Sequence, residues 1–271
     1  MSGLTICILL GTRRGYGQFA MIPHNLPMTV LGAALLWFGW FGFNAGSALG
    51  ANGLAANAFV TTQAAAAAAT VSWVLVEWYR NGKPTILGAA SGCIAGLVAI
   101  TPAAGFVKPM PALAIGFIGG IVCYLAVAVL KEKLGYDDSL DAFGVHGIGG
   151  TWGSIATGIW ATTEVNPAGA DGLFYGSSDL LVAQIISTVV AYALAIVGTF
   201  ILFKIISFFM TVRTDKNEEI TGLDIGEHGE RGYNYAIMSG SPFGETPTTP
   251  FGNAALDNAA VNSAGINGRN L

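Results

Sequence analysis

The stretch LPMTVLGAALLWFGWFGFNAGSAL, residues 26–49, decides the fold. It runs for 24 residues without an Asp, Glu, Lys or Arg, and about 20 apolar residues suffice to carry a helix across the hydrocarbon core of a bilayer. Glycine recurs in it at Gly32, Gly39, Gly42 and Gly46. A soluble helix would lose stability at each, whereas membrane helices use glycine to bring backbones close where lipid gives no hydrophobic drive for association.

Five further runs of the same kind follow, approximately 55–78, 85–104, 111–130, 143–161 and 180–210. The whole chain agrees: 53% of its 271 residues are hydrophobic and 10% charged, against about 25% charged in a soluble domain. The net charge of −4 is a sum of loop charges and carries no nucleic-acid field. The runs are continuous rather than alternating, so helices are expected and barrel strands are not. The fold class expected is therefore an all-α integral membrane protein with about six transmembrane helices. The apolar opening Met1–Leu10 is too short to span. It reads as the end of a seventh, truncated helix, expected over residues 1–12.

If the spans alternate, Arg13, Arg14, Arg80, Lys83, Lys131, Lys133, Lys204, Arg213 and Lys216 share one side, and only Lys108 lies opposite. That asymmetry makes the first side cytoplasmic, placing residues 26–210 as the membrane domain and 211–235 as a cytoplasmic element. Residues 236–271, rich in Ser, Gly, Asn and Thr, cannot bury a core and are expected to be disordered. Cys7, Cys93 and Cys123 sit inside apolar runs without metal or disulfide spacing. No metal or cofactor is expected, and no nucleophile elbow or phosphate loop suggests an enzyme.

Ionisable groups inside the spans are the natural functional candidates. His146 stands in FGVHGIGGTW (143–152), among small residues that leave room beside its ring. It reads either as a solute contact or as a structural histidine bonded to a carbonyl, and the residues alone leave both open. Asp137, Asp138 and Asp141 precede that helix; they suit an N-terminal cap or a cation site. Glu77 is expected to pair with Arg80 at a helix end. Along 36–47, five aromatic residues precede Asn44 and Ser47, giving either an interfacial belt or a mouth whose ring faces attract an ammonium-type ion.

These stretches also carry a family resemblance. GWFGFNAGSAL (39–49), NAFVTTQAAAAAA (57–69), PHNLP (23–27), GKPTILGAASGCIAGLVAITPAAGFV (82–107), DAFGVHGIGGTWG (141–153) and GLDIGEHGERGYN (222–234) resemble the Amt branch of the Amt/Rh ammonium-transporter family. The resemblance implies eleven helices in two inverted repeats around a narrow pore, assembled as a homotrimer in the plasma membrane. This chain would supply one half of that fold, starting inside the fifth helix and lacking the partner histidine, the second gating phenylalanine and the outer-site tryptophan. It further implies that Ser47 belongs to an outer ammonium site, Phe43 to its gate, Trp40 to the pore wall and His146 to a pore histidine pair. Asp137, Asp138 and Asp141 match an inner acidic cluster. Asp224, His228 and Tyr233 fall in a regulatory tail with PII-type signal proteins as partners. The implied activity is deprotonation of ammonium and conduction of ammonia. By the same resemblance the chain alone is expected to be inactive, or else to serve as a regulatory or sensor subunit.

Overall fold

A computed structural model describes residues 1–19 and 21–233; the tail expected to be disordered, 236–271, lies outside them. The described residues form helices and no strand. The described residues divide into two units, one ending at Arg213 and the other starting at Thr214.

In the first unit α1 is Ser2–Leu10 and α2 is Leu26–Gly46. The start of α2 is set by the Asn25 side chain, which accepts from the Met28 amide at 3.0 Å, with a proline in the first turn. Asn52 caps α3, Gly53–Asn81, in the same way, and Gly82 ends it at a φ of 76°, where a side chain would be strained. Thr85 caps α4, Ile86–Ile100. Next comes α5, Pro109–Leu134, which passes through a π-helical turn at Ala126–Leu130. A second π turn, Phe143–Gly147, opens α6 before its regular part Ile148–Trp160. The unit closes with α7, Asp179–Phe209. In the second unit a reciprocal cap between Asp215 and Glu218 starts α8, Lys216–Thr221, followed by α9, Leu223–Gly226.

Among the described residues four helices, α2, α3, α5 and α7, are long and apolar enough to cross a membrane. The span expected over 85–104 is helical only to Ile100, because Pro102 has no N–H to continue the ladder; residues 101–107 turn instead and pack inside. The stretch expected over 143–161 is likewise two pieces, a π turn and a helix of 13 residues.

The alanine-rich α3 is the centre. Ala65, Ala66 and Ala69 are fully buried, as are Thr61, Thr62 and Ser72. Glycines of both neighbours press onto it. Gly88, Gly92 and Gly96 of α4 meet Glu77, Trp73 and Ala65 in antiparallel order, and Gly116 and Gly120 of α5 meet Ala65 and Ala69 in parallel order. A Cβ at Gly116 would overlap the Ala65 carbonyl oxygen and stand 2.5 Å from the Ala65 Cα, so only glycine fits between these backbones. In contrast, α1 and α7 bury no residue and α2 buries only Asn44. These three are the outer helices of the isolated chain, as an apolar surface made for lipid or for further protein would require.

Candidate functional site

Three of the candidate residues share one face of α2. Trp40, Phe43 and Ser47 are spaced three and four apart, and spacings of three and four stack side chains on one side of a helix. At 1.5 Å per residue they cover about 10 Å of its length. His146 arrives from α6 and completes the line. The indole of Trp40 lies nearly parallel to the His146 ring, with centroids 6.4 Å apart and planes 24° apart. Phe43 meets the same indole edge-on at 5.8 Å and 89°. The result is a column: Ser47, Phe43, Trp40, His146.

The column is open on one side. Phe43 is 60% exposed, Ser47 and His146 are exposed, and Trp40 is half-buried. Ser47 Oγ donates its one proton to the Phe43 carbonyl at 2.6 Å, which leaves the hydroxyl lone pairs able to accept from a cationic N–H. The ring faces of Phe43 and Trp40 supply the electrostatic complement to such a cation.

The turn bearing His146 is pinned from several directions. Asp138 accepts from the amides of Ala142 (3.1 Å) and Phe143 (2.7 Å), capping its start. Gly144 lies against Val127 in the other π turn. The Gly147 carbonyl accepts from Thr151 Oγ1 at 2.7 Å and from the Tyr192 hydroxyl at 3.3 Å, and Thr151 and Tyr192 also hydrogen-bond each other. Such π turns insert an extra residue into a helix and are frequent at functional positions.

The three aspartates do three different things. Asp138 is the cap. Asp137 takes a two-pronged bond from the Arg13 guanidinium, 2.9 and 2.6 Å, plus the Arg13 amide at 2.7 Å. That bonding, offset by burial, holds the Asp137 carboxyl below the usual carboxylate range. Asp141 pairs with Lys131, yet burial outweighs the pairing and raises its pKa. As a shared cation site the cluster is not supported: each carboxylate has protein partners, and no group of His, Cys, Asp and Glu among the described residues could hold a metal ion. Nor does Glu77 pair with Arg80. Glu77 Oε2 and Oε1 accept from the Thr85 amide (3.0 Å) and hydroxyl (2.9 Å), binding the α3–α4 turn, while Arg80 lies over the Tyr124 ring at 5.8 Å. Lys108, expected alone on its side, bonds Glu164 at 2.6 Å.

Of the tail residues, Asp224 accepts from the Gly232 amide at 3.1 Å and shapes a local turn; His228 is exposed and Tyr233 half-buried. They lie in the second unit. Two contacts of α2 were not legible in the sequence. Trp40 Nε1 donates to Thr101 Oγ1 at 2.7 Å, and Asn44 Nδ2 to Thr62 Oγ1 at 2.9 Å. The available signal was only that each is a polar residue in an apolar run, where side-chain bonds between helices are common.

Residues 1–233 match the Ammonium Transporter Family. The chain is 57% identical over 233 residues to an ammonium transporter of Bacillus subtilis, covering 86% of this chain and 57% of that one. Among solved structures it is similar to Saccharomyces cerevisiae Mep2, with a TM-score of 0.70 at 39% identity, over 74% of this chain and 48% of the other. It is also similar to a structure named Sensor Amt Protein, with a TM-score of 0.74 at 30% identity, over 83% and 56%. The chain thus spans about half the length of these relatives. With these matches and its apolar helices, the chain is a multi-pass membrane protein that belongs to the ammonium transporter family.

Proposed function

We propose that the chain takes part in ammonium transport across the plasma membrane, with the Ser47–Phe43–Trp40–His146 column as one wall of the conduction path. The observation that carries this is the column itself: a hydroxyl with lone pairs to spare, two ring faces and an imidazole aligned down one open side of an otherwise apolar bundle. An ammonium ion is held at the mouth by the Ser47 hydroxyl and the aromatic faces. A bare cation is very costly in a dry lumen, so it gives up one proton to water at the mouth, and neutral ammonia passes Trp40 and His146 and takes a proton from water on the inner side. His146, with room beside its ring, offers ammonia hydrogen bonds in place of those lost to water. In this reading the end of the bundle with Arg13 and Lys131 faces the cytoplasm, the complete transporter is an inverted-repeat homotrimer, and the open side of the column is closed by a second wall.

The test supplies that wall from a relative. Residues 1–233 replace the matching segment of the Bacillus subtilis transporter, and methylammonium uptake is measured in cells lacking their own transporters. Uptake is expected from the chimera and is expected to fall at least tenfold in its His146→Ala form, about the effect of one hydrogen bond left unmade; residues 1–271 expressed alone, present in the membrane, are expected to give none. Uptake unchanged by His146→Ala would refute the column.

A second reading is favoured by the similarity to the Sensor Amt Protein and by the separate unit after Arg213. Here the chain is a non-conducting sensor or regulatory subunit, with Asp224, His228 and Tyr233 presented to a PII-type signal protein. A column-dependent uptake in the chimera together with no tail-dependent binding of such a partner would remove it.

A further inference from the structure

We propose that Thr101 is a positioning residue for the Trp40–His146 stack; this rests on the reading of the column as a conduction wall. An indole has one polar atom, its N–H, and in an apolar surrounding that N–H needs an acceptor. Trp40 finds it in Thr101 Oγ1 at 2.7 Å, across 61 residues of sequence. Thr101 is suited to accept because its own hydroxyl proton is committed elsewhere, donated to the Leu97 carbonyl at 2.7 Å. One proton and two lone pairs leave the oxygen turned towards the indole as an acceptor. Thr101 is itself fixed as the residue that ends α4, its amide bonded to the Val98 carbonyl at 3.2 Å.

The geometry makes the bond directional for the site. Anchoring Nε1 stops the indole from swinging about its Cβ–Cγ bond, so its face stays 24° from the His146 plane and its edge stays on Phe43. The same helix contains its own comparison. Trp37, three residues earlier, has a buried Nε1 with no hydrogen-bond partner, and no ring contact joins it to His146 among the described residues. The pinned tryptophan is the one that faces the histidine.

The test uses Thr101→Val, which keeps the shape and removes the hydroxyl, and Thr101→Ser, which keeps the hydroxyl. Ultraviolet resonance Raman spectra of the purified 271-residue chain report indole N–H bonding, with Trp40→Phe identifying the Trp40 contribution. Thr101→Val is expected to move that contribution to its unbonded position and Thr101→Ser to leave it in place. In the chimera, Thr101→Val is expected to lower maximal methylammonium uptake roughly five- to tenfold, the scale of one lost hydrogen bond. KM, set at the mouth by Ser47 and Phe43, should change by less than about twofold, and Thr101→Ser should restore the rate. An unmoved band in Thr101→Val, or a moved band with unchanged uptake while His146→Ala still abolishes it, overturns the positioning role alone. A moved band with uptake indifferent to both Thr101→Val and His146→Ala overturns the reading of the column, and the positioning role with it.

Discussion

Arg13 and Asp137 are separated by 124 residues and meet in a bond of fixed geometry. The Asp137 side chain is 1% exposed and that of Arg13 42%, so removing the arginine strands a covered carboxylate. Arg13→Ala is expected to cost about 1–2 kcal/mol, the open side of the guanidinium being screened by water, read as lost thermal stability in detergent. The pH dependence has a definite sign. Because the pKa of Asp137 is lowered on folding, first through the Arg13 side-chain bond, the bond's contribution is present above the unfolded value of about 3.9 and is lost as pH falls through the lower folded value. The stability gap between wild type and Arg13→Ala should stay constant from about pH 5 upward and close below about pH 4. None of this pairing was legible, since nothing local in the sequence links Arg13 to Asp137. Trp40, Phe43 and Ser47 are different: steps of three and four residues along an apolar run are enough to put them on one helix face. At the mouth, Ser47→Ala should raise KM for methylammonium by about tenfold or more, the effect of one hydrogen bond to a charged group, with little change in maximal rate.

Among the elements, α3 explains why the bundle tolerates so many small residues. Its alanines lie between the glycines of α4 and α5, and the helix axes approach closely because neither side carries a bulky group at the crossings. Gly116→Ala drives a methyl into the Ala65 carbonyl oxygen and to 2.5 Å from its Cα, so backbones must part. A loss of about 1–3 kcal/mol is expected, measured as a lower unfolding temperature; Gly32→Ala on α2, where nothing lies within 4 Å, is the control and should be neutral or slightly stabilising. The helices themselves were legible from continuous apolar runs. The early end of α4 was legible at Pro102, whose missing N–H stops the ladder inside the apolar run expected to span; the π turn that holds His146 was not, being fixed by Asp138, Val127 and Tyr192, partners that no periodicity in 143–161 announces.

For the whole molecule, the decisive question is what the open side of the column faces. Phe38 and Phe43 lie on the same helix and are both exposed in the isolated chain, 79% and 60%, but five residues apart they point to faces about 140° apart. With the column as a pore wall, Phe38 faces lipid and Phe43 an aqueous path. A small cationic thiol reagent reaches water-lined positions and is excluded from hydrocarbon. The measurement is therefore the labelling rate of Phe38→Cys and Phe43→Cys, each in the chimera with Cys7, Cys93 and Cys123 replaced by serine, in sealed membranes with and without ammonium. Fast labelling of Phe43→Cys that ammonium slows and sodium does not, beside an unlabelled Phe38→Cys, is the predicted result. Equal slow labelling at both positions, indifferent to ammonium, would place the column against lipid and contradict it as a pore wall.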